Sequence, residues 1–419
     1  MRILWVKTEL LHPVDKGGRI RTYQMLREIA KQHHVTYLTL DDGGAAPDAL
    51  AKASEYSHVV QTIPFAPPAK GSAAFYAALA RNVLSGLPYA VARYRSAAME
   101  SAIAMHALNA DLVICDFLAP AVNLPRGLVA PTVLFQHNVE AMIWERHAGV
   151  STSVVRRAYM AEQFRRMASF EKDACHRFDH VIAVSQEDAE TMRNRYAAPS
   201  ISSVPTGVDV EYFTPANRAI RNPMELVFTG SMDWMPNDDA MGWFLQEILP
   251  KIREKMPEVV VTVVGREPSE RLRSQAERIG GVEVTGRVPD VRPYLERAAA
   301  FIVPMRVGGG TRLKIFEAMS MGLPVISTAI GAEGLPLTNN ATVILRDQPE
   351  KFAETIVGLL TTGGPSDGIG RDGQQLVRDS FGWHGVAAAF MDQCSAARER
   401  KAQRGLTDGV RSGVSPAIA

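Results

Sequence analysis

The chain has 419 residues, 46% of them hydrophobic, enough apolar material for two domains with full cores. Its 46 basic and 45 acidic residues leave a formal net charge of +1, which excludes the strong basic excess of a nucleic-acid binder. Three cysteines, Cys115, Cys175 and Cys394, offer neither a metal-binding spacing nor an even disulfide set, a usage that fits a reducing cytosol.

Met1-Arg2 leads into a short apolar run, Ile3 to Val6, which Lys7 ends. It reads as a buried strand, not a signal peptide, and no run of the chain reaches the ~20 apolar residues of a membrane helix. Next comes His12-Pro13-Val14-Asp15-Lys16-Gly17-Gly18-Arg19, whose glycines predict a turn ahead of a helix over residues 20–31. Residues 35–40 make a second strand, so a right-handed doubly wound sheet is expected. The dinucleotide fingerprint G-x-G-x-x-G is absent. From Phe65 to His106, Pro67 and Pro68 lead into Ala- and Tyr-rich sequence carrying Arg81, Arg93 and Arg95. This segment reads first as an amphipathic helix packed on the sheet. Its mixture of aromatics and cations also suits an anionic acceptor or a membrane surface.

Residues 111–116 form another parallel strand, with Cys115 as a small buried hydrophobe. Asp116 stands at the carboxyl end, where open α/β sheets bind ligands. A strand then runs into the polar group His137, Asn138 and Glu140. A histidine that ends a buried strand is either a satisfied structural group or a site residue. Residues 142–177 read as a long helix with a charged outer face and an inner stripe of Met160, Phe164, Met167 and Phe170. Residues 181–185 read as the last strand of the first domain, with Ser185 capping the helix that follows.

A linker over residues 212–223 carries Pro215 and Pro223, and the pattern then restarts. Residues 226–228 form a strand, and Asn237 or Asp238 is expected to cap the next helix. Strands follow at 259–264, ending in Gly265-Arg266, and at 282–288. The most informative stretch is FIVPMRVGGGTRLKIFEAMSMGLPVISTAIGAEG, residues 301–334. It reads as strand, glycine loop (Gly308 to Gly310), N-cap Thr311, and a helix through Leu313, Phe316 and Met319 that Gly322 and Pro324 stop. Glycines let backbone approach closely, and a helix N-terminus offers free N–H groups to an anion. Arg312 and Lys314 in the first turn oppose the helix dipole unless an anion is expected there. Glu317 can accept hydrogen bonds from hydroxyls. A tight turn with solvated charges would show the same pattern.

The stretch resembles the nucleotide-sugar loop of GT-B-fold glycosyltransferases, close to the retaining family-four group. The resemblance extends over nearly the whole chain. It implies that Glu317 contacts the ribose hydroxyls, that Asp15, Lys16, Gly17 and Gly18 line the cleft over the donor phosphates, and that His137 contacts the donor sugar. Two departures stand out. The first glutamate of the family pair falls on Gly309. The arginine and lysine usual after Gly230 are absent: Ser231 and Asp233 stand there instead, with Asn237 near the lysine position. The diphosphate charge is then expected to fall to Arg306, Arg312, Lys314 and the helix N-terminus.

The expected fold is α/β, two doubly wound Rossmann-like domains facing a cleft. The first spans 1–211 on the acceptor side and the second 212–380 on the nucleotide-sugar side. A helix at 381–400 crosses back, and a disordered tail takes up 401–419. The expected activity is retaining transfer from a UDP- or GDP-sugar to a saccharide or lipid-linked acceptor, in cell-surface or exopolysaccharide synthesis. His137, Asp15, Arg312 and Lys314 are the expected catalytic groups. Gly17, Gly18, Asn138, Gly309, Gly310, Thr311, Glu317 and Arg306 are the expected binding groups. No D-x-D triplet occurs, so no metal or other cofactor is expected, nor any nucleic-acid partner. A cytoplasmic location, with peripheral contact at the inner face of the membrane, completes the expectation. A sugar-nucleotide epimerase of the same fold and a non-catalytic scaffold in polysaccharide assembly are the alternatives.

Overall fold

The structure is a computed structural model that describes the chain except residues 16, 70, 151–153, 217–220, 308–311, 363–364 and 412–419. The contacts divide it into two units, Met1–Pro205 with Val386–Ala419, and Thr206–Gly385.

The first unit is built on a seven-stranded sheet. Its strands are β1 (Arg2–Lys7), β2 (His34–Asp41), β3 (Val59–Pro64), β4 (Leu112–Asp116), β5 (Thr132–Gln136), β6 (His180–Ala183) and β7 (Ile201–Ser203). All pair in parallel, in the order β3-β2-β1-β4-β5-β6-β7. β4 and β5 are buried along their whole length, which is why they read as unbroken apolar runs rather than as alternation. The strand order reverses between β1 and β4, the place where doubly wound sheets bind ligands.

Several boundaries differ from expectation. Gly17 and Gly18 do not precede a helix but begin it, at Gly17–Ala30. The strand at 181–185 is not the last of this unit, because β7 pairs beyond it; three residues at a sheet edge are too few to show a period. The long helical segment is two helices, Glu140–Val150 and Val154–Arg177. Of the segment expected to pack on the sheet, helix Ala97–Ala107 does so, burying Met99, Ala102 and Ile103 in the core with Leu4, Val6 and Leu38, whereas helix Ala73–Val83 does not, since only Asn82 within it is buried.

The second unit holds β8 (Glu225–Thr229), β9 (Val260–Val264), β10 (Val282–Gly286), β11 (Ala300–Val303), β12 (Val325–Ser327) and β13 (Ile344–Leu345), parallel in the order β10-β9-β8-β11-β12-β13. Alternate residues feed two cores. Leu226, Phe228 and Ile302 face Phe244 and Phe352, while Val227, Phe301 and Val303 face Ile315, Phe316 and Met319. The order reverses between β8 and β11.

The division at Pro205 comes before the expected boundary at 211, because Val208 pairs with Gly382 and Phe213 lies in the second core. The last helix runs Trp383–Arg411. From Val386 it belongs to the first unit, where Phe390 packs on Trp5 and Phe135 with ring centroids 5.8 and 4.9 Å apart. It continues past the expected end at 400, since the Lys, Ala, Gln and Arg of residues 401–404 are good helix formers.

Candidate functional site

At the reversal point of the first unit, β1 and β4 end in Lys7 and Asp116, and these two make a fully buried ion pair of 2.8 Å. Asp116 Oδ2 also accepts from Trp5 Nε1 at 3.0 Å and Thr22 Oγ1 at 2.6 Å. Its Oδ1 lies 2.7 Å from His137 Nε2. On the other side of the imidazole, Arg21 lies 3.2 Å from Nδ1. A guanidinium only donates, so Nδ1 accepts and the imidazole proton sits on Nε2, donated to Asp116. Burial pushes His137 down to about 3, aided by the charges of Arg21 and Lys7 and opposed by Asp116. Burial alone would raise Asp116, but Lys7 and His137 hold it below the usual carboxylate range. His137 is therefore a neutral imidazole, 4% exposed, with both ring nitrogens engaged.

Phe117 closes this network. It follows β4 with φ +74°, a left-handed conformation unusual for a bulky residue. Its ring stacks on His137 at 3.8 Å between centroids and lies 4.3 Å from Lys7 Nζ. A Cβ at residue 18 would come within 2.7 Å of the Phe117 ring, so Gly18 is the residue that lets helix Gly17–Ala30 start there.

The other expected residues of this unit lie around the network. Gly17 and Asp15 are exposed, and Asp15 pairs with Arg19 at 3.5 Å. Asn138 bonds to Glu140 at the start of helix Glu140–Val150. That helix end is capped by Glu171, which accepts from Glu140 N at 2.8 Å, Ala141 N at 3.2 Å and Gln136 Nε2 at 2.7 Å. Lys7, Arg21, Thr22 and Phe117 were not among the expected residues. The available signal was a lone lysine ending one apolar strand and a lone aspartate ending another.

At the reversal point of the second unit, helix Leu313–Ser320 follows β11 with Arg312 as its N-cap residue. Gly309, Gly310 and Thr311 lie outside the described residues. Lys314 reaches from the first turn of this helix to the helix that follows β8, donating to Asn237 Oδ1 at 2.8 Å and standing 4.1 Å over the Phe228 ring. Asn237 Nδ2 in turn donates to Ser231 O at 2.8 Å. Asn237 does not cap a helix. It lies inside helix Met235–Trp243, whose N-cap residue is Trp234 and whose Pro236 suits a first turn. Gly230 is needed in this loop, since a Cβ there would lie 2.7 Å from Asn237 Nδ2 and 2.8 Å from Lys314 Nζ.

Lys314 and Glu317 are half-buried neighbours on this helix. Burial pushes Lys314 down to about 7, with the Arg312 charge adding to it. Burial pushes Glu317 up to about 7, against the pull of Lys314. Arg312 is 3% exposed and donates to Ile330 O at 3.0 Å, with Glu333 3.8 Å away. It thus ties the loop after β12 to the helix start. Arg306 grips Asp239 through two bonds of 2.6 and 3.1 Å. Arg266, not among the expected site residues, donates to Ser231 Oγ at 3.0 Å. Among the described residues no group of three or more His, Cys, Asp or Glu is placed to hold a metal, and no helix is long and apolar enough to cross a membrane.

Two family models match, "Glycosyltransferase Family 4" over residues 16–212 and "Glycosyl transferases group 1" over residues 223–362. An uncharacterized 44.6 kDa protein in the cps region of Klebsiella pneumoniae is 22% identical over 229 residues, 53% of this chain and 57% of that protein. The D-inositol 3-phosphate glycosyltransferase of Xylanimonas cellulosilytica is 28% identical over 258 residues, 54% of this chain and 59% of that enzyme. The chain thus spans a little over half the length of these two relatives. Among solved structures, sucrose-phosphate synthase from Thermosynechococcus elongatus superposes with a TM-score of 0.65 at 18% identity, covering 94% of this chain and 98% of that one. Anabaena HepE in complex with UDP and glucose gives 0.62 at 12% identity, covering 94% and 99%. At these identities the likeness establishes the fold, GT-B.

Proposed function

We propose that this chain, which belongs to the group 1, family 4 glycosyltransferases, moves a sugar from a nucleoside-diphosphate sugar to a saccharide or lipid-linked hydroxyl, with retention and without a metal ion. In that reaction the bond from the anomeric carbon to the diphosphate oxygen breaks, and its electron pair stays on the phosphate. The acceptor oxygen bonds the anomeric carbon, and its proton passes to the departing phosphate. The chemistry needs positive charge where the leaving group forms.

One observation carries the reading. Lys314 and Glu317, a cation and a carboxylate half-buried on one helix, stand at the reversal point of the second sheet. That pairing suits a diphosphate and a ribose. The binding roles expected of Gly309, Gly310 and Thr311 belong to residues outside the described ones, while Arg312, buried, and Arg306, paired with Asp239, are the cations nearest to them in sequence. In the first unit the reversal point of the sheet carries Gly18, Phe117 and the buried His137–Asp116 network, with Asp15, Gly17 and Asn138 around them, as the candidate for the part of the chemistry that the donor helix does not supply. HepE, which binds UDP and glucose in its solved complex, supports a nucleotide-sugar donor. The cps-region relative agrees with a role in surface polysaccharide synthesis; work at the cytoplasmic face of the membrane is part of the proposal.

Thermal shift with UDP, GDP and ADP, with and without EDTA, tests the donor site. The expected result is a shift that survives EDTA and disappears in Glu317→Ala. No shift with any of the three would end the reading.

A further inference from the structure

The segment after β8, the loop 230–234 and the first turn of helix Met235–Trp243, is held from two sides by cations that come from elsewhere in the second unit. On one side Arg266, just past the carboxyl end of β9, donates through Nε to Ser231 Oγ at 3.0 Å. Its NH2 lies 3.4 Å from Asp233, a partly exposed pair that contributes little and locks the guanidinium weakly. On the other side Lys314 donates to Asn237 Oδ1 at 2.8 Å. The carboxylate that acts on the Lys314 charge is Glu317, three residues along the same helix.

Both cations keep donors in reserve. An ammonium has three N–H groups and a guanidinium five, and the contacts just given use only some of each set. Lys314 stands directly beside the missing side chain of Gly230, at the carboxyl end of β8, where a sheet of this topology opens to a ligand. Arg266 reaches the same loop from the next strand. Ser231 stands where the family pattern has an arginine, and Asn237 lies near its lysine position, with the acidic Asp233 between them. Ser231 and Asn237 each carry a neutral polar group, and each holds a cation supplied from another element.

We propose that Arg266 and Lys314 are the side chains that meet the leaving diphosphate, and that Ser231 and Asn237 are positioning residues that dock them. The assignment rests on the donor site proposed above. The cationic pair has been moved off the β8 loop without leaving the place where the charge is needed. The depressed basicity of Lys314 agrees with an ammonium that gains from a bound anion.

Calorimetric titration of the full chain with UDP and GDP tests this, with uridine and guanosine as phosphate-free probes. Wild type is expected to bind at least one diphosphate. Arg266→Ala and Lys314→Ala should each weaken that binding by about 10-fold or more while leaving nucleoside binding unchanged. Returning the charge to the loop should restore it, in Arg266→Ala with Ser231→Arg and in Lys314→Ala with Asn237→Lys. A merely structural role would show no such rescue. Ser231→Ala removes only a hydroxyl, and a several-fold loss of diphosphate affinity is expected from it even if a larger change fails to fold. Unchanged diphosphate affinity in Ser231→Ala and in both single cation variants would overturn this assignment alone. Failure of wild type to bind either diphosphate would overturn the donor-site reading, and this assignment with it.

Discussion

Asp116 carries a charge that water does not reach. Lys7, Thr22, Trp5 and His137 surround it, and each contact compensates some of its desolvation. Removing the charge strands Lys7, which is 1% exposed, without its counter-ion. Asp116→Asn should therefore destabilise the protein by about 3–5 kcal/mol, read by urea unfolding at neutral pH. Stability should also depend on pH through His137. Its folded value, about 3, lies below the ordinary 6.5, so the unfolded chain binds the proton more readily. The contribution is fully present above 6.5 and is lost as pH falls toward 3, and the depressed Asp116 acts in the same direction at the acid end. The His137 share of the unfolding free energy should fall between pH 7 and pH 5, while Glu171 and Glu317, which burial pushes up to about 7, act in the opposite direction over the same window. The difference between wild type and His137→Gln, which cannot titrate, isolates that share; a difference that does not change with pH would place the proton elsewhere. Lys314 gives a functional counterpart. It loses its charge as pH rises through about 7, so UDP or GDP should bind more weakly at pH 8.5 than at pH 6.5, and Lys314→Arg should remove most of that difference.

The elements differ in how they tolerate a side chain, and two glycines make the contrast measurable. A Cβ on Gly265 would lie 1.7 Å from the carbonyl oxygen of Gly230. That neighbour is backbone at the end of β8, so Gly265→Ala must force the ends of β8 and β9 away from each other and should cost about 1–3 kcal/mol or more. A Cβ on Gly17 meets nothing within 4 Å and sits in the first turn of a helix. Gly17→Ala should raise stability by about 0.4–1 kcal/mol. Differential scanning calorimetry of the two variants should move Tm in opposite directions. What the sequence disclosed follows the same logic. Parallel strands buried on both faces are apolar runs, so β1, β2, β4, β5, β8, β9 and β11 were legible to within about a residue at each end. β7 was not, because Ile-Ser-Ser at a sheet edge has no run to show. In the proposed donor site Lys314 drew attention in the sequence because cations in a helix's first turn oppose its dipole, and the ribose role of Glu317 followed from the resemblance alone. Arg266 was not, because one arginine after a strand looks like any solvated charge. Its meaning depends on Ser231, a contact between strands 35 residues apart. The docking of Lys314 by Asn237 was hidden for the same reason: the segment looked like a helix cap, and only the fold brings the two together.

At the scale of the whole molecule, one surface stands out by what does not cover it. Residues 56–99 contain no aspartate or glutamate and carry Lys70, Arg81, Arg93 and Arg95. Helix Ala73–Val83 within them exposes Tyr76 at 62% and Val83 at 65%, and Leu84 just beyond it is 93% exposed. The helix is held at its carboxyl end, where Arg166 donates to Asn82 O at 2.6 Å and Val83 O at 3.0 Å. A helix clamped at one end, apolar along its length and free of acidic residues has the character of an interfacial anchor. An anionic lipid surface supplies both an apolar layer and the charge that matches the arginines. This side of the first unit is therefore expected to bring the enzyme to a lipid-linked acceptor. Co-sedimentation should show binding to vesicles containing phosphatidylglycerol and little binding to pure phosphatidylcholine. Raising the salt from about 0.1 to about 0.5 M should weaken that binding, since charges across an aqueous interface are screened. Tyr76→Glu with Leu84→Glu should abolish it while leaving UDP or GDP binding intact, because both residues lie in a unit without the donor helix. Arg81, Arg93 and Arg95 changed together to Glu should do the same. Equal sedimentation with both lipids, or binding unaffected by either set of changes, would remove the membrane from the account and leave a soluble saccharide as the acceptor.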